Sequence, residues 1–533
     1  MSGDAAILAS GPARDAGTDA TGFGAQPEKA CRANPFDLAS KLIFATTALA
    51  LFAAMVWAVP LRSPWYDEFY TLYVTRPGLG WVEAMAGHWL PDNHPPLFYA
   101  LSHATRWLGD SLEARRYLNV LIAVAAMAGA LLALRGDERQ RPLALVYFLL
   151  LAAQAAAFPF VAELRSYFLS FCSASVLVLA VVLVWLDGGT PRRGRMVVLA
   201  LAALVALNTH IVTSLVAGAL VAPFIAAALL KRDYRRFRIL FLPMLAAGLV
   251  FVATVAVQFP LWISNTENFW IPAGHAQALG ALRMVLDYSV SANLVIMIAG
   301  LSGIAIALVR AVRGGRLPAE LEAALLLGAG ALLAGALVVA LHIWRPLVIP
   351  KYLLALIPGI AMILSVGFRE ISARVGRAVG LALLGAAALL SLAAIARNVS
   401  VVAALGGWDG TASVIARQVR SCPGTLVHTD AHWNRNLSRL EPSDNARVVP
   451  FAYRLMAERN GFAIEPASSR RLSPDCPTLF WAEHAARDVP EAAEVLAHVR
   501  KRGFAVSRLE FYPVDKGWVA SSRPLDGAPV PTD

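Results

Sequence analysis

The chain has 533 residues, of which 58% are hydrophobic and 16% charged, and its mean hydropathy is +0.58. Soluble domains carry about 25% charged residues, so this composition excludes a soluble globular protein and implies a polytopic membrane protein. The net charge of +11 does not mark a nucleic-acid surface, because the basic residues are scattered over five separate loops.

Residues 1–40 are rich in Gly, Ala, Asp and Pro with little periodicity, and read as a flexible cytoplasmic tail. Charged and polar residues run through the first 30 positions, so no cleavable signal peptide is expected. Runs of spanning length, about 17–25 residues, follow at 42–59, 118–134, 143–158, 168–186, 239–257, 291–309, 320–342, 352–366 and 378–396. The run 196–230 is too long for one span and is interrupted by Asn208-Thr209-His210, which predicts two helices joined by a tight turn. The total expectation is eleven spans, within a transmembrane domain over 41–400.

Charge asymmetry orients these spans. One set of loops holds Arg135, Arg139 and Arg141; Arg192, Arg193 and Arg195; Lys231 to Arg238; Arg310, Arg313 and Arg316; and Arg369, Arg374 and Arg377. The opposite loops hold little more than Arg165, Arg283, Arg345 and Lys351. The positive-inside rule puts the first set in the cytoplasm. The loop 61–116 and everything after 397 then lie on the far side. The interiors of the spans are almost free of ionisable groups, and no repeat relates the halves, which weighs against an ion-coupled transporter.

From 398 the composition changes. The segments 424–428, 477–481 and 503–506 read as strands and 488–502 as an amphipathic helix, so 401–533 is expected to form a small α/β domain. Cys422 and Cys476 fall there and could form a disulfide on an oxidising face, or remain as two buried thiols. Cys31 and Cys172 are placed in the cytoplasm and within a span, and no Cys/His metal spacing is present.

The residues able to do chemistry cluster at the outer membrane face. Trp65-Tyr66-Asp67-Glu68 puts two adjacent carboxylates about 100° apart on an interfacial helix. One of them could take a proton from a hydroxyl, or hold a divalent ion; the alternative is a solvated turn between aromatic anchors. Asp92-Asn93-His94-Pro95-Pro96 reads as a helix start, with Asp92 and His94 over the same site. Glu163-Leu164-Arg165-Ser166-Tyr167 opens a span; Arg165 could grip a phosphate with its planar fork, or pair with Glu163 at the surface. Arg345 and Lys351 flank another far-side loop, where they could stabilise an anionic leaving group or snorkel to headgroups. His210 stands at the far-side turn as a packing residue or a ligand. The loop 258–290 carries Trp262, Asn265, Glu267, Asn268, Phe269, Trp270 and His275, aromatics beside amides that suit a sugar-binding wall and, as the preferred reading, an interfacial belt.

In their order along residues 40 to 400, these motifs resemble the GT-C superfamily of polytopic glycosyltransferases. The likeness is to its bacterial branch of lipid A aminoarabinose transferases, lipopolysaccharide galacturonosyltransferases and relatives of protein O-mannosyltransferases. It is carried by Asp67-Glu68, Asp92-x-His94-Pro95-Pro96-Leu97-x-Tyr99, Arg116-Tyr117-Leu118-Asn119, Glu163-x-Arg165-x-Tyr167, Asn208-Thr209-His210 and Lys351-Tyr352 through Pro358. The resemblance implies an α-helical membrane enzyme of the bacterial inner membrane with a periplasmic active site. It would transfer a sugar, with inversion, from a polyprenyl-phosphate donor to an envelope glycan, lipid or protein. On that model Asp67 is the catalytic acid/base and Glu68 the second candidate. Asp92, His94, Glu163, Tyr167, His210 and Tyr352 would shape the substrate site, and Arg165 with Lys351 or Arg345 would hold the lipid phosphate. Lys351 departs from the arginine more usual before that tyrosine, keeping the charge and losing the fork. Metal dependence varies across the superfamily and stays open, with Asp67, Asp92 and His94 as candidate ligands. A lipid or polysaccharide transporter or flippase is the alternative.

Overall fold

The structure is a computed structural model in which residues 35–187, 191–265, 271–430, 444–483 and 490–525 are described. The expected tail up to residue 34 and the belt residues Glu267, Asn268, Phe269 and Trp270 lie outside the described residues.

Among the described residues nine helices are long and apolar enough to cross a membrane, which makes the chain a multi-pass membrane protein. They include Leu112–Leu134, Tyr167–Leu186, Ile211–Leu230 and the segment Pro350–Ser372. Two further expected spans form shorter helices. The run at 143–158 becomes the 12-residue helix Arg141–Ala152 followed by a 3-10 turn Phe158–Ala162. At 1.5 Å per residue such a helix reaches about 18 Å, well short of a bilayer core of about 30 Å. Pro142 sets its start, and the turn carrying Pro159 takes over at its far end. The run 196–230 divides at His210 into Arg193–Thr209 and Ile211–Leu230, where the imidazole Nδ1 accepts the Val212 N–H at 3.2 Å and caps the second helix.

The expected loop 258–290 is largely helical. Helix Tyr234–Asn265 runs beyond its apolar stretch, and a second helix spans His275–Ser291. The extension is held by Gln258, a fully buried amide that donates to the carbonyls of Trp89 (3.2 Å) and His94 (2.9 Å). The second helix buries Ala278, Ala281, Val285 and Ser289, one face at helical spacing too narrow for a spanning pattern.

Small residues let the central helices touch. A Cβ at Gly300 would meet the Leu364 carbonyl at 2.7 Å, so the helices Leu294–Gly314 and Ile357–Ser372 pack backbone to backbone. That contact fixes the helix that continues directly from the 3-10 segment Pro350–Leu356, which carries Lys351.

After helix Arg377–Ala403, the chain forms helix Trp408–Ser421, strand β1 (Leu426–Thr429), helix Asp444–Arg459, β2 (Thr478–Ala482), helix Ala492–Lys501, β3 (Glu510–Val514) and β4 (Gly517–Ser521). The sheet order is β1-β2-β4-β3, with β1 and β2 parallel and the other pairs antiparallel. The expected strand at 503–506 is instead a connection. Gly503 at φ +92° ends the preceding helix, and Arg500 Nε donates to the Val506 carbonyl, while Phe504 and Val506 still bury their side chains. The hairpin β3–β4, absent from the sequence reading, supplies the sheet's outer half.

Cys422 and Cys476 are joined as a disulfide with Cα atoms 5.8 Å apart, bridging 54 residues. Replacing both by Ser is expected to cost about 2–4 kcal/mol, read as a lowered melting temperature that reductant reproduces in the wild-type chain.

Glu483, fully buried at the end of β2, accepts from Thr411 Oγ1 and from Trp481 Nε1 at 2.7 Å. Burial pushes its pKa up to about 8. The folded chain therefore holds a proton that the unfolded chain releases near ~4.3, and stability falls as pH rises across that window. Glu483→Gln is expected to flatten this dependence and raise the melting temperature by a few degrees above about pH 8.

Candidate functional site

The chain leaves the first span through Pro64 and Trp65 into helix Tyr66–Val74. Glu68 anchors it. Both carboxylate oxygens take the Arg116 guanidinium at 2.7 Å, and they also accept the N–H of Leu164 at 2.8 Å and of Trp65 at 3.2 Å. Glu68 is 0% exposed, so it ties three segments together and is enclosed. Asp67, one position earlier, has a side chain 29% exposed and turns toward a different set of partners. Asn119, one turn beyond Arg116, donates to the carbonyls of Phe160, Val161 and Glu163 and fixes the second loop against the first.

Lys351 Nζ donates to Asp67 Oδ2 at 3.0 Å across 284 residues of sequence and lies 4.6 Å from the centre of the Tyr167 ring. Tyr167 directs its hydroxyl at the same oxygen from 3.5 Å. Burial alone would raise the Asp67 pKa, but the charge and hydrogen bond of Lys351 and the charge of Arg165 outweigh it and hold the carboxyl well below the usual range.

Asp92 is buried and accepts from Tyr70 (3.1 Å), Tyr99 (2.7 Å) and His94 Nδ1 (3.1 Å). Burial opposes its ionisation, yet the neighbouring His94, the Tyr99 hydroxyl and the charge of Arg165 keep its pKa lowered. With Nδ1–H engaged by Asp92, His94 presents Nε2 as an acceptor to Arg165 Nη2 at 3.3 Å. Arg165 Nη1 donates to Tyr99 at 3.2 Å and Thr71 at 3.4 Å, and its buried Nε–H meets no acceptor among the described residues. Rings of His210 and Tyr352 (4.5 Å), His210 and His94 (5.5 Å), and Tyr167 and Tyr352 (5.7 Å) form an aromatic wall beside these groups.

Asp67, Asp92, His94, Arg165, Tyr167, His210, Lys351 and Tyr352 thus converge. Glu163 joins them differently from the surface pair that sequence allowed. It is buried and takes Arg62 at 2.6 Å, while Arg165 turns inward. Arg345 ends helix Ala319–Trp344 and lies over the Trp344 ring at 5.7 Å, outside this set. Arg62, Tyr70 and Thr71 escaped the sequence reading because nothing local distinguishes them; Tyr99 and Arg116 stood in quoted motifs without assigned roles.

The side chains do not fit a divalent ion. Among the described residues no three His, Cys, Asp or Glu gather as ligands. Asp92 and His94 engage each other, and Asp67 faces cations, which would repel a metal. A separate apolar cleft of about 1020 Å³, lined by Phe44, Tyr147, Phe168 and Cys172 among others, contains none of the site residues.

The C-terminal region packs against the helix that carries Asp67 and the neighbouring turn. Tyr66 donates to Asn445 at 2.7 Å, His88 meets Asp444 at 2.7 Å, and Trp408 packs edge-on to Phe69 at 5.0 Å.

No family model and no curated protein matches the chain. Its fold resembles ArnT from Cupriavidus metallidurans in the apo state, with a TM-score of 0.50 and 15% identity over 92% of this chain and 99% of that one. The same protein bound to undecaprenyl phosphate aligns with a TM-score of 0.49, 15% identity, 92% of this chain and 98% of that one. The first likeness shows that the chain shares the overall fold of that protein.

Proposed function

We propose that this chain is a membrane glycosyltransferase that moves a sugar from a polyprenyl-phosphate donor to a hydroxyl of a cell-envelope acceptor, with inversion, at the extracytoplasmic face. The observation that carries this reading is Asp67, a partly open, ionised carboxylate held at 3.0 Å from Lys351 and beside Arg165. An anion that accepts a proton next to cations that receive an anion is what displacement of a phosphate by an alcohol requires. Asp67 takes the hydroxyl proton as the acceptor oxygen bonds to the anomeric carbon. The bond from that carbon to the phosphate oxygen breaks, its electron pair stays on the phosphate, and Arg165 and Lys351 receive the growing charge. Glu68 acts through position, by fixing the helix that carries Asp67.

The ordered motifs that resemble GT-C glycosyltransferases, on a fold like that of ArnT, support the class of donor. The Cys422–Cys476 bond supports an oxidising, extracytoplasmic location for the C-terminal region, in line with the charge asymmetry of the loops. The test is the purified chain in lipid with an undecaprenyl-phosphate sugar and an envelope lipid extract, followed by mass spectrometry. Formation of glycosylated acceptor and free undecaprenyl phosphate is expected. Donor that stays intact across pools of different sugars and acceptors overturns the reading.

A further inference from the structure

The hairpin β3–β4 turns at Asp515-Lys516, and Asp515 adopts φ +50°, a conformation an L-residue rarely holds without support. The support is a glycine cradle. A Cβ at Gly406 would lie 2.8 Å from Asp515 Oδ1, and one at Gly410 would fall nearer still to Oδ2. Only the bare backbone before and inside the first turn of helix Trp408–Ser421 lets the Asp515 carboxylate settle there. The tip of the hairpin is therefore docked.

What this docking presents is Lys516. Its Nζ stands 4.2 Å over the ring of Trp65, two residues before Asp67, while the side chain remains exposed. Its electrostatic neighbours are Arg62, Lys351, Glu163 and Asp515. Glu163 is already paired with Arg62 at 2.6 Å, and Asp515 is turned against the glycines. Among the described residues no carboxylate pairs with Lys516. Lys516, Lys351 and Arg62 thus stand among the carboxylates Asp67, Glu163 and Asp515, and Lys516 is the cation of this group whose ammonium, placed over Trp65, has no ion pair among the described residues.

We propose that Lys516 is a phosphate-binding residue of the site, contributed by the C-terminal region to the leaving phosphate of the polyprenyl donor. This deepens the proposed function and rests on it. The donor phosphodiester carries one negative charge. When the anomeric C–O bond breaks, its electron pair makes the phosphate a monoester of up to two charges, and the second charge meets the Lys516 ammonium. Lys516 transfers no proton. Its contact strengthens as the charge develops, so it favours the transition state and product over the bound donor.

The test is binding of undecaprenyl phosphate to the full-length chain in neutral-lipid nanodiscs. Lys516→Met keeps an apolar stem on Trp65 and removes the charge; Lys516→Arg keeps the charge. The Met variant is expected to bind about 10–100-fold more weakly, the range of a charge-assisted contact, with an unchanged melting temperature, and the Arg variant to stay within about threefold of wild type. Unchanged binding by the Met variant overturns the role of Lys516 and leaves the proposed function standing. Equal loss in both variants also overturns it, because the side chain would then serve packing. An equal loss toward phosphatidylglycerol overturns it as a general surface-charge effect. Failure of the wild-type chain to bind undecaprenyl phosphate removes the proposed function itself.

Discussion

Asp67→Asn is expected to reduce sugar transfer by about 10²–10⁴-fold, the usual contribution of a positioned acid or base, while the purified protein keeps its elution profile and melting temperature. The amide is the same size and its oxygen can still accept from Lys351 at the present 3.0 Å distance, so the fold has no reason to change. What disappears is the ability to take a proton from the attacking hydroxyl. Asp67→Ala should be no less defective. The depressed pKa carries a further consequence. Lys351 and Arg165 stabilise the ionised form against the cost of burial, so in the resting state Asp67 is a weak base. A donor phosphate competes for the same two cations. As it draws Lys351 away, Asp67 loses its partner and its basicity rises at the moment when a proton must be accepted. Activity should accordingly show no acid limb from Asp67 near ~3.9, the ordinary aspartate pKa, because the free enzyme keeps it ionised there. Folding stability linked to Asp67 is likewise present above the ordinary pKa and is lost only as pH falls through the lower folded value. Full turnover by either variant would remove Asp67 from the chemistry.

Much of this arrangement was legible because each contributing residue sits at a boundary that physics marks. Asp67, Arg165 and Lys351 each adjoin a spanning run, and the loop charges put all three on one face. The Asp92-x-His94-Pro95-Pro96 segment announces a turn before helix Leu97–Ala104, which is where both side chains are aimed inward. The pairings themselves were not legible. Glu163 chose Arg62 over the nearer Arg165, because tertiary packing brings the end of the first span against the second loop. The sequence also treated 258–290 as one connection, since neither the polar end of helix Tyr234–Asn265 nor the alanine face of His275–Ser291 looks like a span. The strand expected at 503–506 has the right residues, but Gly503 and Arg500 divert it, and the true strand begins at Glu510. Lys516 carries no local signal at all. Its place beside Trp65 exists only after the sheet, the disulfide and the Gly406–Gly410 cradle have formed.

Glu68→Ala should have the larger structural effect, although Glu68 is the neighbour of the reactive carboxylate. The substitution leaves the Arg116 guanidinium, 0% exposed, without the carboxylate it is hydrogen-bonded to, and strips acceptors from the Trp65 and Leu164 N–H groups. Removing one partner of a buried ion pair costs about 3–5 kcal/mol, because the remaining charge stays desolvated. That is a large share of a marginal stability of about 5–15 kcal/mol, so the variant should aggregate on extraction or melt well below wild type. Arg116 also donates to the carbonyls of Val59 (3.2 Å) and Arg62 (2.8 Å), so the disturbance reaches the end of the first span and the Arg62–Glu163 contact. The double variant Glu68→Gln with Arg116→Met removes both charges together and should recover a substantial part of the loss. Its transfer rate then isolates geometry from folding. If the recovered protein is folded but slow, Glu68 serves catalysis by aiming Asp67. If Glu68→Ala alone remains as stable as wild type, the clasp at the root of the site is not what holds these three segments together.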